Sequence, residues 1–149
     1  MRTIATMILK FAGEALRVCF AIAAAVATTA LADPATDSKL ERAFVGTWSA
    51  EGPGTSRGAT SYFADRTFEM KFYSDPSCTN VEHDASGIWL IKDGNLYTET
   101  RKSVGKYTRL RVGTRTRDKV VSVTNESMSL IDSDGNPARR IKGSPCSRK

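Results

Sequence analysis

The sequence predicts an all-β domain: an antiparallel up-and-down β-barrel of about eight strands, preceded by a short helix and an N-terminal signal peptide. Three observations predict it. After residue 45 no stretch sustains the i, i+3, i+4 apolar period of a helix. Short runs of alternating polar and apolar residues recur instead, separated by Gly, Asp, Asn and Ser. The longest gaps between them, 51–57 and 74–84, are too short for the crossovers of a Greek-key sandwich, so consecutive hairpins that close on themselves are the simplest way to bury the sheet edges.

Residues 1–32 read as the signal. Arg2, Lys10 and Arg17 make a basic start, residues 18–32 carry no charge, and Ala30-Leu31-Ala32 supplies the small side chains that a signal peptidase accepts before Asp33. The uncharged run is shorter than the roughly 20 residues of a membrane-crossing helix. An uncleaved anchor is the alternative, with Glu14 in the basic region in its favour. Cleavage leaves a barrel domain at 33–149 with no transmembrane helix and a secreted or periplasmic destination.

Removing Arg2, Lys10, Arg17 and Glu14 lowers the formal charge from +6 to +4, and Cys19 leaves with them. Cys78 and Cys146 remain, an even count that reads as one disulfide in an oxidising compartment. Two free thiols or a pair of metal ligands are the alternatives. With His83 the sole histidine, no second imidazole is present to build a zinc site, so no metal and no cofactor are expected.

Within the domain, residues 37–44 form a short helix with Leu40 and Phe44 on one side. Trp48 and Ala50 then share one face of a first strand, and Thr47 and Ser49 the other, because side chains alternate. Residues 58–63 make the second strand, and Phe68, Met70 and Phe72 point one way from the third. Residues 87–91 pair with 96–102 through Lys92-Asp93-Gly94-Asn95, since Asp-Gly supplies the positive φ of a tight hairpin. Further strands are expected at 106–112, 114–123, 127–132 and 137–142, giving eight or nine.

Several of these segments carry a resemblance. Phe44-Val45-Gly46-Thr47-Trp48, Ala64-Asp65-Arg66-Thr67-Phe68, the run from Gly87 to Leu96 and the run from Met128 to Gly135 resemble, in order, the Gly-x-Trp opening and the Asp-Gly turn segments of lipocalins and of bacterial lipocalin-like proteins. The resemblance covers nearly all of 33–149. It implies that Trp48 packs across the closed floor of the barrel and that a basic residue of the last strand, Arg139 or Arg140, lies over the indole. The departure is Arg66, where the family's turn usually has Gly.

The chemical inventory for catalysis is thin. His83, between Glu82 and Asp84, reads as a solvated loop residue, and Gly52, Gly54 and Gly58 miss the dinucleotide fingerprint and lead into a strand. Asn125-Glu126-Ser127 is a sequon that also explains itself as a turn. A non-enzymatic exported binding protein is therefore expected. It would enclose a small lipophilic ligand against Phe68, Met70, Phe72, Trp89, Ile91, Leu110 and Val121, unless those side chains fill the barrel themselves.

Positive charge supports a different function. Eight basic residues lie between Arg101 and Lys119 against one acid, Asp118. Strand alternation would place Arg109 and Arg111 on one face of a strand, and Arg115 and Arg117 on one face of the next. Such a ribbon attracts an anionic protein or envelope surface, or else keeps an exposed face soluble. Nucleic acid is not expected as a partner of an exported protein.

Overall fold

The computed structural model describes residues 34–51 and 57–147; the signal segment, and with it Cys19, as well as Gly52 and Gly54 lie outside the described residues. Helix α1 (Pro34–Phe44) is followed by strands β1 (Gly46–Glu51), β2 (Arg57–Tyr62), β3 (Thr67–Tyr73), β4 (Val81–Lys92), β5 (Asn95–Gly105), β6 (Arg115–Val123), β7 (Ser127–Ile131) and β8 (Pro137–Lys142). Each strand pairs antiparallel with the next, and β8 returns to β1, closing the barrel. No helix among the described residues is long and apolar enough to cross a membrane.

The β4–β5 hairpin shows how local chemistry fixes register. Asp93 (φ 52°) and Gly94 (φ 69°) are both left-handed, the two-residue turn that matches strand twist, and they set Lys92 opposite Asn95. Helix α1 docks on this turn: Asp37 accepts the N–H groups of Asp93 (2.8 Å) and Gly94 (3.0 Å), and Glu41 accepts that of Ile91 (3.4 Å). The β2–β3 turn places Arg66 at φ 65°, the position where the lipocalin-like pattern has Gly. Its guanidinium bonds Glu41 at 3.1 Å, which ties this turn to the helix as well.

The seam is the weak part of the closure. Only Trp48 and Ser49 of β1 face β8 in register, against Lys142 and Ile141. Past Lys142 the chain packs against β1 and β2 on its way to Pro145, whose carbonyl accepts from Arg57 (3.4 Å). Cys146 then joins Cys78 in a disulfide, tying the C-terminal segment to the β3–β4 loop.

Two strands differ from expectation. Residues 106–112 form no strand: they make a connection with one 3₁₀ turn (Thr108–Leu110) between Gly105 (φ 131°) and Gly113 (φ 86°). A strand there would have to insert between β5 and β6, which already pair directly from Asn95↔Lys119 to Glu99↔Arg115. Conversely, β4 and β5 extend beyond the expected 87–91 and 96–102. The longer β4 puts His83 in the inward series His83, Ala85, Gly87, Trp89, Ile91, so it is 1% exposed and not a solvated loop residue.

Candidate functional site

The floor of the barrel is aromatic. Phe44 from α1 meets Tyr62 edge-on (5.6 Å between ring centroids) and stacks on Trp89 (6.1 Å), and Phe68, Ile91, Leu96, Met128 and Leu130 complete the buried cluster. Buried indole N–H groups need acceptors. Trp48 Nε1 donates to the Phe44 carbonyl (2.7 Å) and Trp89 Nε1 to that of Phe63 (3.1 Å).

The cation over Trp48 is Lys142, neither Arg139 nor Arg140. Lys142 stands opposite Trp48 in register, so both side chains lie on one face; its Nζ sits 4.8 Å from the ring centroid and donates to the Val45 carbonyl (3.4 Å). Arg139 has the opposite parity and is exposed. Arg140, two residues before Lys142, points inward, and its Nη1 donates to Thr60 Oγ1 (3.2 Å) and the Tyr62 hydroxyl (3.1 Å).

Arg140 belongs to a polar layer above the floor. Register places Thr98 opposite Trp89, and Thr116 opposite Thr98, so both threonines face inward, their hydroxyls 2.8 Å apart. Asp118, opposite Leu96, shares that face; its carboxylate has no hydrogen-bond donor among the described residues, and it lies within the field of Arg140. Burial pushes its carboxyl above the usual range; Arg140 counters this and Asp132 adds to it. Burial also pushes the Tyr62 phenol up, with Arg140 opposing. Met70, Thr116, Asp118, Val120 and Arg140 are inward by register and half-buried.

This carboxyl has a measurable consequence. A raised folded-state pKa means that the folded chain binds its proton more tightly, so Asp118 favours folding in acid and opposes it as pH rises through and beyond its ordinary value of 3.8. In urea titrations, Asp118→Asn should be more stable than the parent at pH 7, with the gap shrinking toward pH 3. Asp65, Asp75 and Asp132, held low chiefly by hydrogen bonds from Thr67, Ser77 and Asn136, act in the opposite direction in both proteins.

Of the residues expected to line the interior, Phe68, Trp89 and Ile91 are in the closed floor, and Met70 and Phe72 rise above it, half-buried. Val121 is 57% exposed, because the alternation of β6 puts it on the outer face with Arg115, Arg117 and Lys119; the bulge between Val120 and Ser122 returns only Val123 to the inner face, opposite Met128. Leu110 belongs to the 3₁₀ connection rather than to a strand. Tyr107, from the same connection, takes a place at the rim: its ring meets Phe72 edge-on (5.0 Å) and His83 (5.4 Å).

His83 anchors this rim. Its Nδ1 accepts the Tyr107 N–H (3.2 Å), which puts the neutral ring's proton on Nε2, facing Ser103 Oγ at 3.1 Å. The pair therefore runs with histidine donating to serine, opposite to the polarity of a base that activates a nucleophile. Tyr107 also donates its hydroxyl to Glu82 (3.1 Å), and Lys106 bonds the same carboxylate (2.6 Å).

The expected basic ribbon is divided. Arg109 and Arg111 sit exposed on the connection, whereas Arg115 and Arg117 project from the outer face of β6. Arg115 pairs with Glu99 (3.1 Å), as does Arg101 (3.0 Å), and Arg117 lies 5.8 Å from the centre of the Tyr97 ring. Beside them a shallow apolar groove of about 140 Å³ runs between Ile88, Leu90 and Tyr97.

Sequence reasoning missed Asp118, Thr116 and the inward role of Arg140. A signal was present: if Arg115, Arg117 and Lys119 face solvent, then Thr116, Asp118 and Val120 must face inward. Fold and site together define a closed eight-stranded antiparallel barrel, plugged at one end by a helix and an aromatic floor, with a charged layer in its lumen. The chain matches no known family model and no curated protein.

Proposed function

We propose that this protein is an exported, lipocalin-like binding protein that carries a small lipophilic molecule with a polar end in its lumen. One observation carries the reading: inward residues above a sealed aromatic floor, Met70 and Val120 among the apolar ones and Asp118 and Arg140 among the polar ones, stay half-accessible. A barrel filled solid by its own side chains would bury them. Apolar walls with a few placed polar groups are the usual make-up of a small-molecule pocket. The Gly-x-Trp opening, the cation over Trp48 and the helix plug support the lipocalin-like assignment, and the Cys78–Cys146 disulfide supports an oxidising compartment. The binding role needs no turnover, and at the rim the His83–Ser103 pair runs with histidine donating. The outer-face alternative draws less support, because Arg109 and Arg111 stand on the 3₁₀ connection rather than on a strand face beside Arg115 and Arg117, and Arg115 pairs with Glu99.

The test uses N-phenyl-1-naphthylamine, an uncharged probe whose apolar rings and single N–H suit such a lumen. Saturable binding of one probe per chain is expected. It should be lost in Met70→Trp, which fills the space above the floor, and retained in Leu90→Asp, which spoils the outer groove. Loss in Leu90→Asp alone, or no saturable binding, would overturn the reading.

A further inference from the structure

Arg140 and Asp118 face one lumen with opposite charge and do not meet: no ion pair within 4.0 Å joins them. This is an unusual arrangement, because in a half-buried site of reduced dielectric an unrestrained guanidinium and carboxylate attract strongly. Arg140 is restrained. Its Nη1 is committed to Thr60 and Tyr62 on β2, which draws the guanidinium toward the wall away from β6. Its Nε and Nη2 groups have no protein acceptor among the described residues, and the Asp118 carboxylate has no protein donor. The lumen therefore presents unspent N–H donors on one side and an unspent acceptor on the other, above an apolar floor.

Resting on the lumen reading above, we infer that the gap between Arg140 and Asp118 recognises a ligand end group that is neutral overall and carries an acceptor and a donor side by side, of which the carboxamide is the simplest. The amide oxygen would accept from Arg140 and the amide N–H would donate to Asp118. The charge balance of the layer, one cation and one anion, is then left intact. A simple carboxylate would satisfy Arg140 but confront Asp118 with a like charge, and a simple ammonium would do the reverse at Arg140. Discrimination by the repelled charge is as much a part of specificity as the attraction to the matched group.

The experiment compares hexanamide, hexanoate and hexylammonium by NMR titration of the intact barrel at pH 7, with binding of the uncharged N-phenyl-1-naphthylamine as an independent report on the lumen. The amide should bind at least tenfold more tightly than either ion. Asp118→Asn should raise hexanoate affinity several-fold, and Arg140→Gln should do so for hexylammonium. These gains of function cannot come from a misfolded barrel. If the naphthalene probe binds and the three hexyl compounds bind alike, or hexanoate leads in the parent, the end-group inference is overturned and the lumen reading survives. If neither the probe nor any hexyl compound binds, both fall.

Discussion

Alanine in place of Gly87 is expected to unfold the barrel or to cost it about 3 kcal/mol or more, the upper range for forcing atoms into packed space. Gly87 sits at the bulge where β4 shifts register against β5. A Cβ built there runs into the Glu99 carbonyl oxygen of the neighbouring strand and comes within 2.9 Å of Phe68 Cε1. The first obstacle is backbone and cannot rotate away. Relieving it means separating two strands at mid-barrel, next to the inward Thr100 and above the floor. Gly94→Ala is the matched control, since that turn has a left-handed φ of 69° with nothing near the added carbon. It should cost only about 1 kcal/mol. Chemical denaturation followed by tryptophan fluorescence checks both, and equal effects would show that the strands yield at Gly87 and that close approach does not govern it.

Loss of the disulfide is the second large effect. Cys78 and Cys146 are 68 residues apart, and closing a loop of that length restricts the unfolded chain by an amount worth about 4 kcal/mol in the chain-entropy treatment. The native state adds a reason for the effect to be felt at one place. The bridge holds the C-terminal segment against β1 and β2, beside the two-residue β1–β8 seam. Cys78→Ser with Cys146→Ser should therefore lower stability by that order. In hydrogen exchange, the amides of β1 and β8 should open before those of β4 and β5, whose pairing is the longest in the barrel. Uniform loss of protection would place the bridge's contribution wholly in the unfolded chain.

The sequence displayed those parts of the fold that depend on neighbours along the chain. Alternation in Phe68, Met70 and Phe72 marks β3, Asp93-Gly94 marks the hairpin, and the segment before Gly46 marks the helix that plugs the floor. Even the departure at Arg66 was visible as a non-glycine residue in a turn that needs a left-handed φ. The misreadings have separate causes. Val121 shares its parity with Arg115, Arg117 and Lys119, so an outward arginine face and an inward Val121 are incompatible on one strand, and the structure keeps the arginines outside. At residues 106–112 the alternation is real, but β5 and β6 already satisfy each other's backbone groups, so no edge remains for an extra strand to join.

By itself the sequence determined an all-β chain, the order of its hairpins, the helix before the first strand and the two cysteines available to pair, because each follows from local conformational preference or from a count. Only the tertiary structure decided where the ring closes, that Lys142 and not an arginine covers Trp48, that His83 is buried under Tyr107, and that Asp118 and Arg140 share one lumen. Those outcomes depend on strand stagger and on single-residue bulges, which set which side chains stand at the same height across the barrel. Neither quantity is written in the spacing of residues along any one strand.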